Sequence, residues 1–319
     1  MIIRKRHKII SILLAALAGQ VLVLQAQALD LRKVEKEIHR LTNEMRAEKG
    51  LKPLAPLREL DGLARAHSRN MAENDFFDHV DPDGNSPFDR MKKNLPTLLT
   101  MGAAENIAMR SISGAAELAL AKGLSQQWRH SPGHYRNIMK PAYLQLGVGV
   151  AAKDGDIYAT QNFAAGLVML EQDLPGRIQA GGPVRLSFRY LADFPPDELS
   201  VFLNVPDAEA RFPTAGGSFY TGGGPLQPVW KEKQRFELNI PTSYGLGVYS
   251  LGIGRNGSYY PTPFSFEAVK QLGLGLESGR QAAGRAKLVC LGPGGTGLFR
   301  GGRATRFRLS SSSLNRRSP

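Results

Sequence analysis

Apolar residues recur at intervals of three or four along the first half of the chain, which is the spacing of one helix face. These intervals predict helices over residues 30–49, 57–74 and 115–128, with a short fourth helix after His134. Asp30 is expected to cap the first helix and Gly50 to end it. The first half of the chain is therefore predicted to be rich in amphipathic helices.

Alternating apolar and polar residues take over towards the end of this region. They predict strands over residues 144–152 and 157–163, joined by a turn at Asp154-Gly155-Asp156. From residue 177 onward the helical spacing disappears, and short alternating runs are separated by Pro and Gly turn signals. This pattern predicts an all-β, immunoglobulin-like sandwich over residues 177–271.

The first 28 residues have the pattern of a secretion signal. Four basic residues precede an apolar stretch over residues 9–24, and Ala26-Gln27-Ala28 offers small residues at a cleavage site. A membrane anchor is the alternative, although 16 apolar residues are short for a span. We expect cleavage after Ala28, export to a periplasm or the exterior, and no membrane span afterwards.

Charge is concentrated at the two ends of the chain. Of the net charge of +13, residues 1–28 carry +4 and residues 273–319 carry +8, which leaves residues 29–272 almost neutral. A basic binding face is therefore not expected, and nucleic acid is excluded as a partner. The single cysteine, Cys290, leaves an exported chain to depend on its hydrophobic core rather than on internal disulfides.

The tail over residues 272–319 is rich in Gly, Arg and Ser and has little periodicity. One interpretation is a low-complexity, disordered segment. The other is a slip of the reading frame near Gln271, and the sequence leaves both open. The predicted domains are thus a signal peptide (1–28), an α+β domain (29–170), a β-sandwich (177–271) and this tail.

Three phrases in the first domain have side chains suited to chemistry. They are Phe76-Phe77-Asp78-His79, Ala104-Glu105-Asn106-Ile107 and Ser131-Pro132-Gly133-His134-Tyr135-Arg136-Asn137. Two imidazoles and a carboxylate form a ligand set that zinc uses when one coordination position stays open. Their separation in the sequence fits no local motif, so the order of the phrases has to connect them.

That order resembles a bacterial-type CAP domain, from the superfamily of cysteine-rich secretory proteins, antigen 5 and pathogenesis-related 1 proteins. The resemblance covers residues 41–165 and includes the phrases above, Trp128 and Gly147-Val148-Gly149-Val150. It implies an α-β-α sandwich with a cleft that contains His79, Glu105 and His134. Two differences are visible: Ala104 stands where the family usually has Gly, and Arg129-His130-Ser131 replace a second acidic residue.

The resemblance implies metal ligation by His79, Glu105 and His134, with zinc or another divalent ion as cofactor. Glu105 is also the candidate catalytic residue, and Asn106, Ser131, Tyr135 and Asn137 are expected to support the pocket. Ser131 is expected to cap the helix near His134 rather than to act as a nucleophile. His67 is interpreted as a core histidine. Two interpretations of His130 stay open: it replaces the missing acidic residue, or, as we prefer, it is exposed or supports the site from behind.

Three hypotheses about function stay open at this point. The cleft binds a divalent ion and a lipid, peptide or cell-envelope ligand. Alternatively, the same ion activates water for hydrolysis of a peptide or related bond. In the third hypothesis the protein acts through non-catalytic contacts at the envelope. The sequence does not determine the oligomeric state.

Overall fold

The computed structural model describes residues 29–112, 116–232 and 234–270. The predicted signal peptide and the basic tail lie outside the described residues. Within the described part, the helices are α1 (Leu31–Ala47), α2 (Arg58–Glu73), α3 (Pro87–Asn94), α4 (Glu117–His130) and α5 (Pro132–Met139), with a 3₁₀ turn at Pro196–Glu198. Among the described residues, no helix is both long and apolar enough to cross a membrane.

Fourteen strands occur in the same described ranges. They are β1 (Ala55–Pro56), β2 (Leu98–Ser111), β3 (Gln145–Lys153), β4 (Asp156–Leu170), β5 (Arg177–Gln179), β6 (Val184–Tyr190), β7 (Leu199–Asn204), β8 (Arg211–Pro213), β9 (Phe219–Thr221), β10 (Gly223–Pro225), β11 (Val229–Lys231), β12 (Arg235–Ile240), β13 (Gly247–Arg255) and β14 (Ser258–Val269).

The three long helices predicted from apolar spacing are confirmed as α1, α2 and α4. The carboxylate of Asp30 accepts hydrogen bonds from the N–H groups of Arg32 and Lys33, so it caps α1 as expected. Helix α1 ends at Ala47. Gly50 lies in the turn that follows and has a φ of 67°, a conformation that favours glycine. The fourth helix, α5, begins before His134 and contains it, where the sequence predicted that it would follow.

The predicted α-β-α sandwich is confirmed in the first half of the structure. Strand β4 pairs with β2 on one side and with β3 on the other. Residues from α1, α4 and α5 share one apolar cluster with β3 and β4. Leu60 and Leu63 of α2 and Met91 of α3 belong to a separate cluster with Ala164 and Met169 of β4. Helices therefore cover both faces of the sheet.

Helix α2 lies directly on β3 because two glycines leave room for its backbone. A Cβ atom on Gly147 would come 2.2 Å from the carbonyl carbon of Leu60, and one on Gly149 would come 2.0 Å from the nitrogen of Arg65. The intervening Val148 faces the opposite cluster. The Gly-Val-Gly-Val alternation thus sets the distance between α2 and the sheet.

The second half of the structure is all-β, and its first sheet continues the sheet of the first half. Beyond residue 167, β4 pairs with β6, and β12 and β11 follow. A five-stranded sheet with the order β10-β7-β13-β14-β5 faces this extension. Phe188 and Phe264 meet across the shared core at 5.3 Å between ring centroids. The immunoglobulin-like topology and the domain border at residues 170–177 stay predictions.

Candidate functional site

Glu105 lies at the centre of the candidate site. It is carried by β2, and its register partner on β4 is Asn162. The side chain is 2% exposed, so a charge here has to be balanced by nearby donors. In the described part of the chain β2 pairs only with β4. Side chains from α3 and from the loop before it contact Glu105.

Arg90 of α3 balances the Glu105 carboxylate. Its Nη2 donates to both carboxylate oxygens, at 3.0 and 2.8 Å, and its own side chain is 8% exposed. Its Nη1 donates to the carbonyl oxygens of His79 and Asn85, at 2.7 and 2.9 Å. A single guanidinium therefore neutralises the buried carboxylate and fixes the loop that carries His79.

His79 is positioned by the same carboxylate. Its Nδ1 lies 2.9 Å from Oε1 of Glu105. Because an ionised carboxylate only accepts hydrogen bonds, Nδ1 carries the proton and donates, which leaves Nε2 with a free lone pair. The His79 side chain is 43% exposed. It thus presents an oriented imidazole nitrogen to the solvent side of the site.

Asn162 completes the surroundings of Glu105. With its amide oriented to satisfy both neighbours, the nitrogen donates to Oε2 of Glu105 at 3.2 Å, and the oxygen accepts from the N–H of Ala64 at 3.2 Å. Arg90, His79 and Asn162 together occupy both oxygens of Glu105. The carboxylate is therefore arranged to position other groups rather than to take up a proton from a substrate.

His134 approaches the site from α5, on the other face of the sheet. Burial lowers the pKa of His134, so the ring is neutral at pH 7. His134 is partly buried. The convergence of His79 and His134 on one site stays a prediction.

An amide network holds the backbone around His134. Asn106 donates through Nδ2 to the carbonyl oxygen of His134 at 3.1 Å and to Gln161 at 3.0 Å. Asn137 donates to Oδ1 of Asn106 at 2.9 Å. Gln161 in turn donates to the hydroxyl of Thr42 in α1 at 2.8 Å. Asn106 and Asn137 thus connect α5 to the sheet, although their role in a binding pocket stays a prediction.

The remaining predicted supports have weaker connections to the site. Ser131 occupies the N-cap position of α5, but its side chain makes no capping hydrogen bond, so the predicted capping is wrong. Tyr135 packs at the edge of the apolar cluster between α1, α4 and α5. His130 is exposed at the end of α4, as expected.

His67 is buried beside Glu105, as the sequence indicated for a core histidine. The residue is 1% exposed, and its Nε2 lies 3.0 Å from the carbonyl oxygen of Asp78 and 3.7 Å from Oε1 of Glu105. Burial lowers the pKa of His67, against the opposing effect of Glu105. The Nε2–H therefore donates to Asp78 from a neutral ring and helps to hold the loop before His79.

Acid is expected to destabilise the fold through these buried histidines. The unfolded chain binds a proton at His67 near pH 6.5, whereas the folded chain binds it only at lower pH. The unfolded state therefore holds more protons below pH 6.5, and the free energy of unfolding decreases as the pH falls from 7 to 5. Urea denaturation at several pH values measures this decrease.

The His67→Gln variant is the matched comparison for this pH dependence. Its amide nitrogen can still donate to Asp78, but it does not titrate. The decrease in stability should be smaller in this variant and should not vanish, because burial also lowers the pKa values of His39 and His134. Equal decreases in the two proteins would contradict a role for His67.

The predicted metal ligands are His79, Glu105 and His134. Within residues 29–112, 116–232 and 234–270, no group of three His, Cys, Asp or Glu side chains is arranged to hold a metal ion. Glu105 already accepts from Arg90 through both oxygens, and this cation would repel a metal ion. Metal binding by His79, Glu105 and His134 together stays a prediction.

Comparison with known proteins assigns the first half of the structure. A sequence model described as CAP, the cysteine-rich secretory protein family, matches residues 39–163. These residues form a CAP domain.

The protein YkwD of Bacillus subtilis is 38% identical over 127 residues, which are 40% of this chain and 46% of that relative. YlbC of Bacillus subtilis, described as a membrane protein, is 35% identical over 129 residues, or 40% of this chain and 34% of that protein. The chain thus spans less than half the length of these relatives.

Solved structures give weaker matches to the CAP domain. An extracellular protein with an SCP domain from Bacillus anthracis is 30% identical and has a TM-score of 0.34, covering 41% of this chain and 40% of that chain. The structure of NaASP2 with Zn²⁺ is 17% identical and has a TM-score of 0.32, covering 43% of this chain and 82% of that one. Because both TM-scores are low, the assignment rests on the sequence matches.

Sequence reasoning missed the two strongest partners of Glu105 in the CAP domain. Arg90 and Asn162 both lie in stretches that carry the family resemblance, but no role follows from their local sequence. The signal available for Arg90 is the capping box of Ser86 and Asp89, which starts a short helix just before it. That signal places Arg90 on a helix without indicating that it is buried.

Proposed function

We propose that this chain is an exported binding protein whose CAP domain binds a divalent ion such as zinc through His79 and His134. The observation that supports this most directly is the hydrogen bond from Nδ1 of His79 to Glu105, at 2.9 Å. A carboxylate behind an imidazole fixes its tautomer and orientation and makes the opposite nitrogen a better metal ligand. Export is proposed from the pattern of residues 1–28.

Glu105 has a positioning role in this proposal. Two imidazoles leave coordination positions on the ion for water or for an oxygen of a ligand. An ion held in this way supplies a positive charge that attracts a carboxylate, phosphate or carbonyl group. The ion pair of Glu105 with Arg90 argues against its use as a general base, since both of its oxygens are occupied. Binding is therefore proposed rather than hydrolysis.

A cavity beside Glu105 offers space for the apolar part of such a ligand. Its volume is about 270 Å³, and its lining includes Phe88, Met91 and Ala103. Phe88 is 62% exposed, and Phe77 and Val80 are also exposed on the neighbouring loop. An apolar cavity beside a polar, oriented group suits a ligand with both characters, such as the predicted lipid, peptide or envelope component.

Titration of the purified full-length protein with zinc tests the proposal. We expect about one equivalent to bind, and we expect His79→Ala and His134→Ala each to weaken binding by about tenfold or more. The exposed neighbour His130 provides the control, because His130→Ala should leave the affinity unchanged. Absence of zinc binding in the folded parent protein, or equal binding by all four proteins, would rule out the two-imidazole site.

A further inference from the structure

The outer face of the five-stranded sheet contains a cavity that the CAP domain does not use. Its volume is about 380 Å³, and it lies over β7, β13 and β14. Its lining includes Phe202, Asn204, Ser250, Tyr259, Tyr260 and Thr262. None of the lining residues is charged, which distinguishes this cavity from the charged surface of a typical soluble protein.

Aromatic rings form the walls of this cavity. Phe202 lies 5.1 Å from Tyr259 and 5.6 Å from Tyr220, measured between ring centroids. Tyr220, Tyr259 and Tyr260 are 45%, 38% and 43% exposed. A single exposed aromatic ring is common, but adjacent exposed rings are typical of a binding surface. Phe202 and Tyr259 lie together in the lining and offer ring faces and one hydroxyl group to the same ligand.

A glycine keeps the floor of the cavity open. Gly252 of β13 lies opposite Phe202 on one neighbouring strand and Pro261 on the other. A Cβ atom on Gly252 would come 3.2 Å from Cβ of Tyr259 and 3.8 Å from Cβ of Phe202. Gly252 does not have a positive φ, so its backbone conformation does not require glycine. Its role is to leave space between the rings.

Polar groups accompany the rings on the same face. Asn204 and Ser250 are register partners, and Nδ2 of Asn204 donates to the Ser250 hydroxyl at 3.2 Å. The exposed Asn204 amide can still accept through its oxygen, and the Ser250 hydroxyl can donate. An amide and a hydroxyl beside flat apolar rings match the two characters of a sugar ring. Sugars have hydroxyl groups around the rim and C–H groups on the faces.

We propose that this cavity binds a neutral glycan, with sugar faces against Tyr259 and Phe202 and hydroxyl groups on Asn204 and Ser250. The uncharged lining disfavours an acidic or basic ligand, because no side chain there would compensate the buried charge. The site is independent of the zinc site proposed for the CAP domain, since the two share no residue. In this proposal the second half of the chain attaches the protein to a polysaccharide.

Calorimetric titration of the full-length protein with chitotetraose, cellotetraose and maltotetraose tests the proposal. At least one should bind, and Tyr259→Ala should weaken its binding by about tenfold through loss of the stacking surface. Gly252→Val should have a similar effect by filling the floor. Because these changes affect packing, Asn204→Ala provides a third variant at an exposed polar group of the cavity.

Val248→Ala is the matched control, since Val248 is 61% exposed on the same strand and lies outside the cavity. Its affinity should equal that of the parent, and the thermal unfolding midpoint of each variant identifies any that fail to fold. Absence of binding to all three oligosaccharides would overturn the proposal. Binding that persists unchanged in the Tyr259, Asn204 and Gly252 variants would overturn it equally.

Discussion

Arg90→Ala is expected to lower the free energy of unfolding by about 3–5 kcal/mol, the usual cost of removing one partner of a buried ion pair. The variant leaves the Glu105 carboxylate without its guanidinium and removes both hydrogen bonds to the backbone carbonyls of His79 and Asn85. Urea denaturation monitored by tryptophan fluorescence measures the change. Zinc binding should also weaken, because the loop carrying His79 loses its anchor.

Two comparisons separate the ion pair from a general loss of charge. Arg69→Ala removes an exposed arginine from α2 and should change stability by less than about 0.5 kcal/mol. The double variant Arg90→Met, Glu105→Leu replaces both charges with apolar groups and should be more stable than Arg90→Ala alone. If Arg90→Ala and Arg69→Ala cost the same, the ion pair does not stabilise the fold.

Gly149→Ala is expected to destabilise the CAP domain by about 3 kcal/mol, at the upper end of the range for overpacked cores. The new methyl group would come 2.0 Å from the nitrogen of Arg65 and 2.2 Å from the carbonyl carbon of Ala64. These are backbone atoms of α2, so the whole helix has to move away from β3. Such a movement would also displace His67, which α2 carries.

Gly62 provides the control for this substitution because it lies on the exposed side of the same helix. A Cβ atom there would meet nothing within 4 Å. Gly62→Ala should therefore stabilise the domain by about 0.5–1 kcal/mol through helix propensity. Thermal unfolding of both variants gives the comparison. A Gly149→Ala protein as stable as the parent would mean that α2 can shift away from the sheet at little cost.

The long helices could be predicted because their signal is local. In α1, Val34, Ile38 and Met45 form one buried stripe, so the apolar spacing and the burial agree. Helix α3 was missed because it has only eight residues, and only Arg90 and Met91 are buried. Strand β2 was missed because its buried positions do not alternate. The residues around Glu105 lie within this strand.

The partners in the site could be predicted only in part. The phrases around His79 and Glu105 identified two side chains that lie in contact, with 2.9 Å between Nδ1 of His79 and Oε1 of Glu105. The ion pair of Arg90 with Glu105 depends on the position of α3 against the sheet, which no local pattern contains. A single sequence does not show whether an arginine is exposed or buried. The pairing of Arg90 with Glu105 was therefore not predicted, and Glu105 was interpreted as a metal ligand.

Strand β4 limits how the first half of this chain can be fused to a different second module. Its residues Asp156–Ala164 pair with β3, and Val168–Leu170 pair with β6, while Leu167 and Val168 belong to the core of the second half. A gene fusion made just after residue 170 would leave the end of β4 as a bare sheet edge, a site for aggregation. A replacement module would therefore have to bring its own strand in the register of β6. The two halves are thus joined through one continuous strand rather than through a flexible linker.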